Sequence, residues 1–228
     1  MSAPVNEEAA PRPSAAVSLF DDARVRAYAR ECSAAGSFVH RMATGALERE
    51  KYLRYLSQDA YFLFHFNLAY ARALTKAKDV EAQATFHALI GGVLDELKLH
   101  ETTCARWNVD LTAVEVHDAS RAYVEFLETL HEGSMGELVA GMVPCMRLYA
   151  SLGRAFLHPS NDDDAPDLGG ARLEDSPYYE WFEAYGSDEM EALARRLESL
   201  LPETVEDVVA ERYVEAMRLE RDFFAAHA

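Results

Sequence analysis

Three reactive side chains, Asp59, Cys145 and Glu220, occupy sequence positions where an apolar core residue would be expected. Each lies in a row of apolar residues that recur every three or four positions, the spacing of one face of an α-helix. The rows are Tyr52, Leu56, Asp59, Leu63, Phe66 and Tyr70; Leu138, Met142, Cys145, Tyr149, Leu152 and Phe156; and Val209, Tyr213, Met217, Glu220 and Phe224. Because an unpaired buried carboxylate is costly or becomes neutral, this pattern predicts acids that are used chemically.

Each of these residues also has an ordinary structural interpretation. A buried free cysteine is more often a small core residue than a nucleophile. A single buried acid can equally be satisfied by an ion pair or by a tyrosine hydroxyl. Two acids and a thiol on three separate helices favour function, since a helix bundle can bring them into one interior pocket.

The composition limits the kinds of ligand. The chain has 228 residues, enough for one well-filled domain, and 39 acidic residues face 22 lysines and arginines, for a net charge of -17. Such an acidic protein is a poor partner for nucleic acid or for an anionic membrane. We therefore expect a small-molecule ligand, with no nucleic acid and no membrane among the partners.

The cysteines and the hydropathy predict a soluble, cytoplasmic protein. Cys32, Cys104 and Cys145 form no CxxC pair, which is typical of a protein in a reducing compartment. No apolar run approaches the roughly 20 residues needed to cross a bilayer. Residues 1–17, rich in Ala, Pro and acids, are expected to be a disordered tail, and residues 18–228 a single helical domain.

The rest of the chain predicts an all-α, single-domain, multi-helix bundle. Helical periodicity runs nearly throughout, with few glycines and prolines and no alternating strand pattern. The predicted helices are 19–44, 47–76, 79–107, 111–132, 135–157, 177–200 and 203–227. Gly91 and Gly92, inside a helical run, predict close approach of a neighbouring helix. The breaker-rich segment 158–177 is expected to run over the surface, where it could cover a pocket.

A series of short motifs, in a fixed order, identifies a family. In chain order these motifs are GAL at 45–47, YLSQD at 55–59, PCMRLY at 144–149, PYYEWFEAY at 177–185 and LERDFF at 219–224. The series resembles the TenA family, the thiaminase II or aminopyrimidine aminohydrolases. The resemblance covers nearly all of the chain after residue 18.

The resemblance implies a haem-oxygenase-like helical bundle that needs no cofactor and assembles as a homo-oligomer, a tetramer or a dimer. It implies hydrolysis of 4-amino-5-aminomethyl-2-methylpyrimidine to the 5-hydroxymethyl pyrimidine and ammonia, with cleavage of intact thiamine as a further possible activity. Carried over by motif, Cys145 is the nucleophile, Asp59 holds the amino-pyrimidine edge, and Glu220 exchanges a proton with a ring nitrogen. General acid catalysis of this kind is worth roughly 100- to 10,000-fold.

The resemblance also implies an aromatic substrate pocket, formed by Tyr123, Tyr149, Tyr178, Phe62 and Phe223. Aromatic residues at helical spacing are equally typical of a core. Two positions depart from the family pattern: Phe62 stands where many members have tyrosine, and Arg147 stands where many have tryptophan. These departures leave the substrate preference open.

Two other classes of function are compatible with parts of the sequence. A di-iron oxidase or oxygenase could use Glu96 and His100, which lie four positions apart on one helical face, together with His65. Such sites usually repeat a Glu-x-x-His pair and use about four carboxylates and two histidines, and the sequence has no such repeat, so no metal is predicted. A non-catalytic pyrimidine-binding or regulatory protein is the other alternative, and Cys145 is the residue that separates it from an enzyme.

Overall fold

The computed structural model describes residues 14–106, 115–159 and 166–228, and these form a helical bundle. The α-helices are α1 (Ala15–Phe20), α2 (Ala23–Ser33), α3 (Phe38–Ala43), α4 (Arg49–Lys76), α5 (Val80–Arg106), α6 (Asp118–Thr129), α7 (Met135–Leu157), α8 (Tyr179–Tyr185), α9 (Asp188–Glu198) and α10 (Asp207–Ala225). Short 3₁₀ helices cover Leu130–Glu132 and Leu173–Asp175. There is no strand in the described ranges, and the predicted all-α class is confirmed.

Two of the predicted helices are divided by residues that cap helix N-termini. The run predicted as 19–44 is three helices, because Asp22 and Ser37 accept backbone hydrogen bonds from the first turns of α2 and α3. Gly36, just before the second cap, has φ of 81°, which a residue with a side chain rarely adopts. The run predicted as 177–200 is divided in the same way, with Ser187 capping α9.

Helix α7 lies at the centre of the bundle. Every residue from Leu138 to Met146 is buried, so this helix is apolar on all sides, as a fully enclosed helix must be. It packs against α10, α8, α9 and α4, while α4 packs along α5. Its first turn is closed by a capping box between Ser134 and Glu137. Cys145 is thereby held in the middle of the protein.

Close backbone approach occurs at a different glycine from the one predicted. A Cβ on Gly153 of α7 would lie 2.3 Å from the backbone nitrogen of Gly186, at the junction of α8 and α9. By contrast, a Cβ on Gly91 would meet nothing within 4 Å, and one on Gly92 would make only an ordinary contact with the Leu193 side chain. The prediction for Gly91 and Gly92 was wrong, because no backbone atom of a neighbouring helix lies within 4 Å of a Cβ at either position.

The ends of the predicted domain are only partly described. Residues 1–13 of the predicted tail lie outside the described residues, and residues 15–17 belong to α1, where Leu19 reaches the core. Part of the predicted surface connection, 160–165, also lies outside them. Among the residues that are described, no helix combines the length and the hydropathy needed to cross a bilayer.

Candidate active site

A cavity of about 1070 Å³ opens between α4, α5, α7 and α8. Its wall is mostly aromatic and aliphatic, with a few polar groups that point inward, which is the usual composition of a small-molecule site. Asp59, Cys145, Tyr149 and Tyr178, all predicted site residues, line it. The hydroxyl of Tyr70, also at the wall, is buried without a hydrogen-bond partner. Two of the three predicted reactive groups therefore face one interior space.

The third reactive group, Glu220, lies beside Cys145. It is 1% exposed, and its Oε1 accepts a hydrogen bond of 2.6 Å from the Tyr123 hydroxyl. The Cys145 thiol also interacts with this carboxylate as a hydrogen-bond donor. Helices α7 and α10 bring the pair together, since they pack along each other through the rows that contain Cys145 and Glu220. The result is a thiol at the cavity with a buried carboxylate behind it.

The remaining predicted aromatic residues form a layer behind the wall. Phe62 packs on Tyr123 with ring centroids 4.5 Å apart, and on Phe223 at 6.1 Å. All three rings are buried and are absent from the cavity lining. They support the thiol and the carboxylate from behind, and their direct contact with a substrate remains a prediction.

The aromatic wall is connected by hydroxyl groups. Tyr55 donates to the Tyr149 hydroxyl at 3.3 Å and accepts from the Trp181 indole at 3.4 Å. Tyr178 is fixed by a 2.9 Å hydrogen bond to the Leu47 carbonyl, and its ring lies 4.5 Å from that of Tyr52. These flat surfaces are held in place before any ligand arrives, which suits the stacking of a planar ring.

A second polar group lies on the α4–α5 side of the cavity. Asp59, Glu96 and His100 each present a potential ligand atom, and these atoms lie within 4.8 Å of one another. Tyr185 donates a hydrogen bond to Glu96. Oδ2 of Asp59 and Nδ1 of His100 are buried without a partner. Carboxylate and imidazole atoms so arranged are of the types that bind divalent metal ions, and they can equally accept hydrogen bonds from an organic ligand.

Burial shifts the ionisation of every one of these groups. It raises the pKa of Glu220 to about 7, against the hydrogen bonds from Tyr123 and Cys145, which favour the ionised form. It raises the pKa of Asp59 well above its usual range, with the charges of Glu96 and Glu220 adding to the effect. It also raises the pKa of the Cys145 thiol, again helped by nearby carboxylates. The Cys145 thiol is therefore protonated near neutral pH, and the equilibrium of Asp59 is shifted toward its neutral form.

Burial has the opposite effect on the histidine. It lowers the pKa of His100 to about 4, so the ring is neutral at pH 7. The 3.6 Å separation between Nε2 of His100 and Oδ2 of Asp59 is therefore not an ion pair under those conditions. His100 therefore provides no positive charge to balance the neighbouring acids, Asp59 and Glu96.

Comparison with known proteins decides the family. The model of the TENA/THI-4/PQQC family matches residues 23–226, nearly the whole chain. The chain belongs to this family. The matched range includes every helix that contributes to the cavity, and the resemblance inferred from the motif order is confirmed.

Named relatives of this TENA/THI-4/PQQC protein include an aminopyrimidine aminohydrolase. The chain is 32% identical over 226 residues to the bifunctional TH2 protein of Arabidopsis thaliana, covering 86% of this chain but only 35% of that protein. It is 27% identical over 200 residues to the aminopyrimidine aminohydrolase of Halalkalibacterium halodurans, covering 82% of this chain and 84% of the relative. These names describe the relatives.

Solved structures of the family share the fold. A TenA family transcription regulator from Silicibacter sp. TM1040 superposes with a TM-score of 0.77 at 24% identity, covering 94% of this chain and 96% of that one. A putative TenA-like thiaminase from Sulfolobus solfataricus gives 0.75 at 16% identity, covering 95% and 96%. The haem-oxygenase-like helical fold implied by the resemblance is confirmed.

Sequence reasoning missed part of the cavity wall. Tyr55, Trp181 and Tyr185 line it, although the sequence analysis used them only as parts of the family motifs and not as site residues. The signal was available in the spacing: Tyr55 stands four residues before Asp59, and Trp181 stands four residues before Tyr185, so each pair shares a helix face. Glu96 and His100 were considered only as iron ligands, whereas both lie beside Asp59.

Proposed function

We propose that this protein is an aminopyrimidine aminohydrolase of thiamine salvage. In the proposed reaction, 4-amino-5-aminomethyl-2-methylpyrimidine and water give the 5-hydroxymethyl pyrimidine and ammonia. The observation that carries the proposal is the pairing of the Cys145 thiol with the buried Glu220 carboxylate at a cavity that Asp59 also lines. The name of the Halalkalibacterium halodurans relative supports the same activity. We expect a cytoplasmic homo-oligomer, a tetramer or a dimer, that needs no cofactor.

Asp59 has the properties needed to recognise an aminopyrimidine. The ring nitrogen next to the 4-amino group is an acceptor, and the amino group is a donor. A protonated carboxyl group offers one donor and one acceptor side by side, so it can form both hydrogen bonds to that edge. The raised pKa of Asp59 favours this neutral form. A ligand there would also satisfy the partnerless Oδ2.

Cys145 and Glu220 have the properties of a nucleophile and its proton acceptor. A buried thiol reacts only when a base removes its proton. Ionised Glu220, with a pKa of about 7, can take that proton as the sulfur bonds to a ring carbon, and can then deliver it to a ring nitrogen. Its pKa suits both steps, because a group that titrates near the working pH can accept a proton and release it.

The remaining steps balance without a redox partner. The sulfur–carbon bond breaks the aromaticity of the ring. The side-chain amine is an ammonium group near neutral pH, so it leaves as neutral ammonia when its bond to the methylene breaks, and Glu220 takes back the proton of the ring nitrogen. Water then adds to the exocyclic methylene as hydroxide, and its proton returns to the ring nitrogen. The sulfur–carbon bond breaks, the ring proton passes through Glu220 to the sulfur, and the aromatic ring and the thiol are restored. The aromatic wall around Tyr149 and Tyr178 supports this sequence by holding the ring flat beside the thiol.

The test is a paired measurement of turnover and binding. Wild-type protein is incubated with the aminomethyl pyrimidine and, separately, with thiamine, while ammonia and the hydroxymethyl pyrimidine are measured. Cys145→Ser is expected to lose ammonia release while retaining pyrimidine binding by calorimetry. Cys32→Ser changes another buried cysteine away from the cavity and serves as the control. Undiminished turnover in Cys145→Ser would refute covalent catalysis.

A metal-dependent oxidase or oxygenase is the second candidate, and the group Asp59, Glu96 and His100 is the observation that favours it. This is a single three-residue group within the described ranges, whereas a di-iron site uses about four carboxylates and two histidines. Elemental analysis of protein purified without chelator separates the two candidates. Stoichiometric iron would favour the oxidase.

A further inference from the structure

Glu96 faces the cavity but has no part in the proposed hydrolysis. It lies on α5, opposite Asp59 on α4, and is half-buried at the wall. The Tyr185 hydroxyl donates to its Oε1, so the side chain is held in one orientation by a neighbour on α8. Holding a carboxylate beside a second buried acid is unfavourable, because repulsion between two nearby negative charges raises the free energy of the ionised forms. We therefore expect Glu96 to have a function at this position.

The polar atoms around Glu96 indicate a missing donor. Oδ2 of Asp59 is buried and accepts no hydrogen bond, and His100 beside it is buried with Nδ1 unpaired. Asp59 is 3% exposed and His100 is 6% exposed, so water has little access to either. Buried polar atoms in native proteins nearly always have a partner, and a ligand group is the natural partner in a cavity.

We propose that Glu96 and Asp59 together hold one amino nitrogen of the ligand, each accepting one of its two N–H bonds. This inference rests on the proposed function and identifies the residue that reads the second hydrogen of the amino group. A planar amino group whose two N–H bonds each reach an acceptor at about 2.9 Å requires acceptors about 5 Å apart. One carboxylate oxygen of Asp59 and one of Glu96 lie no more than 4.8 Å apart, so a single amino nitrogen can reach both acceptors.

The charge of the wall agrees with a donor-rich ligand. The described lining residues include the acids Asp59, Asp95, Glu96, Glu180 and Glu189, and the base Arg49. His100 adds no positive charge near neutral pH, since burial lowers its pKa to about 4. An oxo group in place of the amine would present lone pairs to two acceptors. A methylamino group would lose one donor and place its methyl against Glu96.

The test compares two small pyrimidines that differ only at the amino group: 4-amino-2-methylpyrimidine and 4-methylamino-2-methylpyrimidine. Their affinities for the wild-type protein, Glu96→Ala and Glu96→Gln are measured by calorimetry, which needs no turnover. We expect the wild type to prefer the amino compound by about 10-fold, the value of one hydrogen bond. In Glu96→Ala the preference should fall below about 3-fold, because the methyl group gains space and the acceptor is gone.

A kinetic readout and a control separate recognition from folding. Glu96→Ala should raise KM for the aminomethyl pyrimidine more than it lowers kcat, since the residue holds the ligand and does not touch the reacting bond. Glu101→Ala, an exposed acid on the same helix and outside the cavity lining, should retain the wild-type preference and KM. Thermal unfolding of each variant confirms that the fold is kept, and Glu96→Gln preserves the size of the side chain.

Three results would overturn the inference. An amino preference that survives in both Glu96 variants would mean that Asp59 alone reads the amine. Stoichiometric uptake of Mn²⁺ or Zn²⁺ that Glu96→Ala removes would make the group a metal site. Failure of both pyrimidines to bind the wild-type protein would overturn this inference and the proposed function together, whereas binding without a change in preference would overturn this inference alone.

Discussion

Replacing Glu220 by glutamine should stabilise the protein, and the gain should grow with pH. Burial raises the pKa of this carboxyl from 4.5 to about 7. Between those two values the folded protein keeps a proton that the unfolded chain has released. The free energy of unfolding therefore falls as the pH rises through this window, and the full cost applies above the folded pKa. Glutamine carries no charge at any of these pH values and so avoids the cost.

The size of the effect follows from the two pKa values. At about 1.36 kcal/mol for each pH unit between them, the wild type loses about 3 kcal/mol at pH 8 and about 1 kcal/mol at pH 5. The stability gained by Glu220→Gln should therefore be about 2 kcal/mol larger at pH 8 than at pH 5. For a chain of this length this corresponds to a change of about 4–8 °C in the Tm difference. The amide oxygen of glutamine can still accept the hydrogen bond from Tyr123.

The assay is thermal unfolding, followed by circular dichroism at pH 5 and pH 8, at one ionic strength and one protein concentration. Comparing variant with wild type at each pH removes the contributions of the titrating groups that do not interact with Glu220. Glu125→Gln, an exposed glutamate on α6, is the control and should shift Tm by the same small amount at both pH values. A Tm difference for Glu220→Gln that does not change with pH would refute the reasoning. The same variant should lose turnover, as expected of a stability–activity trade-off.

Three further predictions concern the surroundings of the site. Tyr123→Phe removes a donor that lowers the pKa of the buried glutamate, so the pH–rate profile of kcat/KM should move to higher pH; an unmoved profile would contradict this. Arg147→Ala should cost about 2–4 kcal/mol in the free energy of unfolding, measured with urea, because it leaves the part-buried Glu198 without its cationic partner and Glu191 with Arg195 alone. Arg154→Ala, at an exposed pair, should cost under about 1 kcal/mol. Gly153→Ala should lower the free energy of unfolding by more than about 2 kcal/mol, because the added methyl group overpacks the contact with Gly186. Gly91→Ala, with open space around it, should raise the free energy of unfolding by about 0.5–1 kcal/mol. Equal effects of the two substitutions would refute the packing argument.

Hydrophobic periodicity was sufficient to predict which segments are helical. The residues that cap helix ends were needed to predict where each helix begins and ends. The long rows around Asp59, Cys145 and Glu220 each lie within one helix of the fold, because a buried face needs an apolar residue at nearly every turn. The prediction of one helix over 19–44 was wrong. The side-chain oxygens of Asp22 and Ser37 accept backbone N–H bonds at the starts of α2 and α3, so new helices begin there although the apolar spacing continues. Local competition of this kind is visible in the sequence but is easily overlooked in a long apolar run.

The structural role of Arg147 became clear only from its contacts with the neighbouring helix α9. The sequence showed only that it departs from the family pattern two positions after the nucleophile. In the fold its guanidinium donates hydrogen bonds of 2.6 Å to Glu198 and 2.7 Å to Glu191, both on α9. It therefore joins α7 to α9 and points away from the cavity. The partners lie more than 40 residues away, and no spacing rule relates such positions.

The sequence by itself determined that two carboxylates and a thiol would be buried on three helices, because helical period fixes which residues share a face. The order of the motifs determined the family. Only the tertiary structure decided that Glu220 pairs with Cys145 behind the wall, whereas Asp59 lies beside Glu96 on the α4–α5 side of the cavity. Which faces meet depends on how α4, α5, α7 and α10 pack, and packing is set by contacts between residues far apart in the chain.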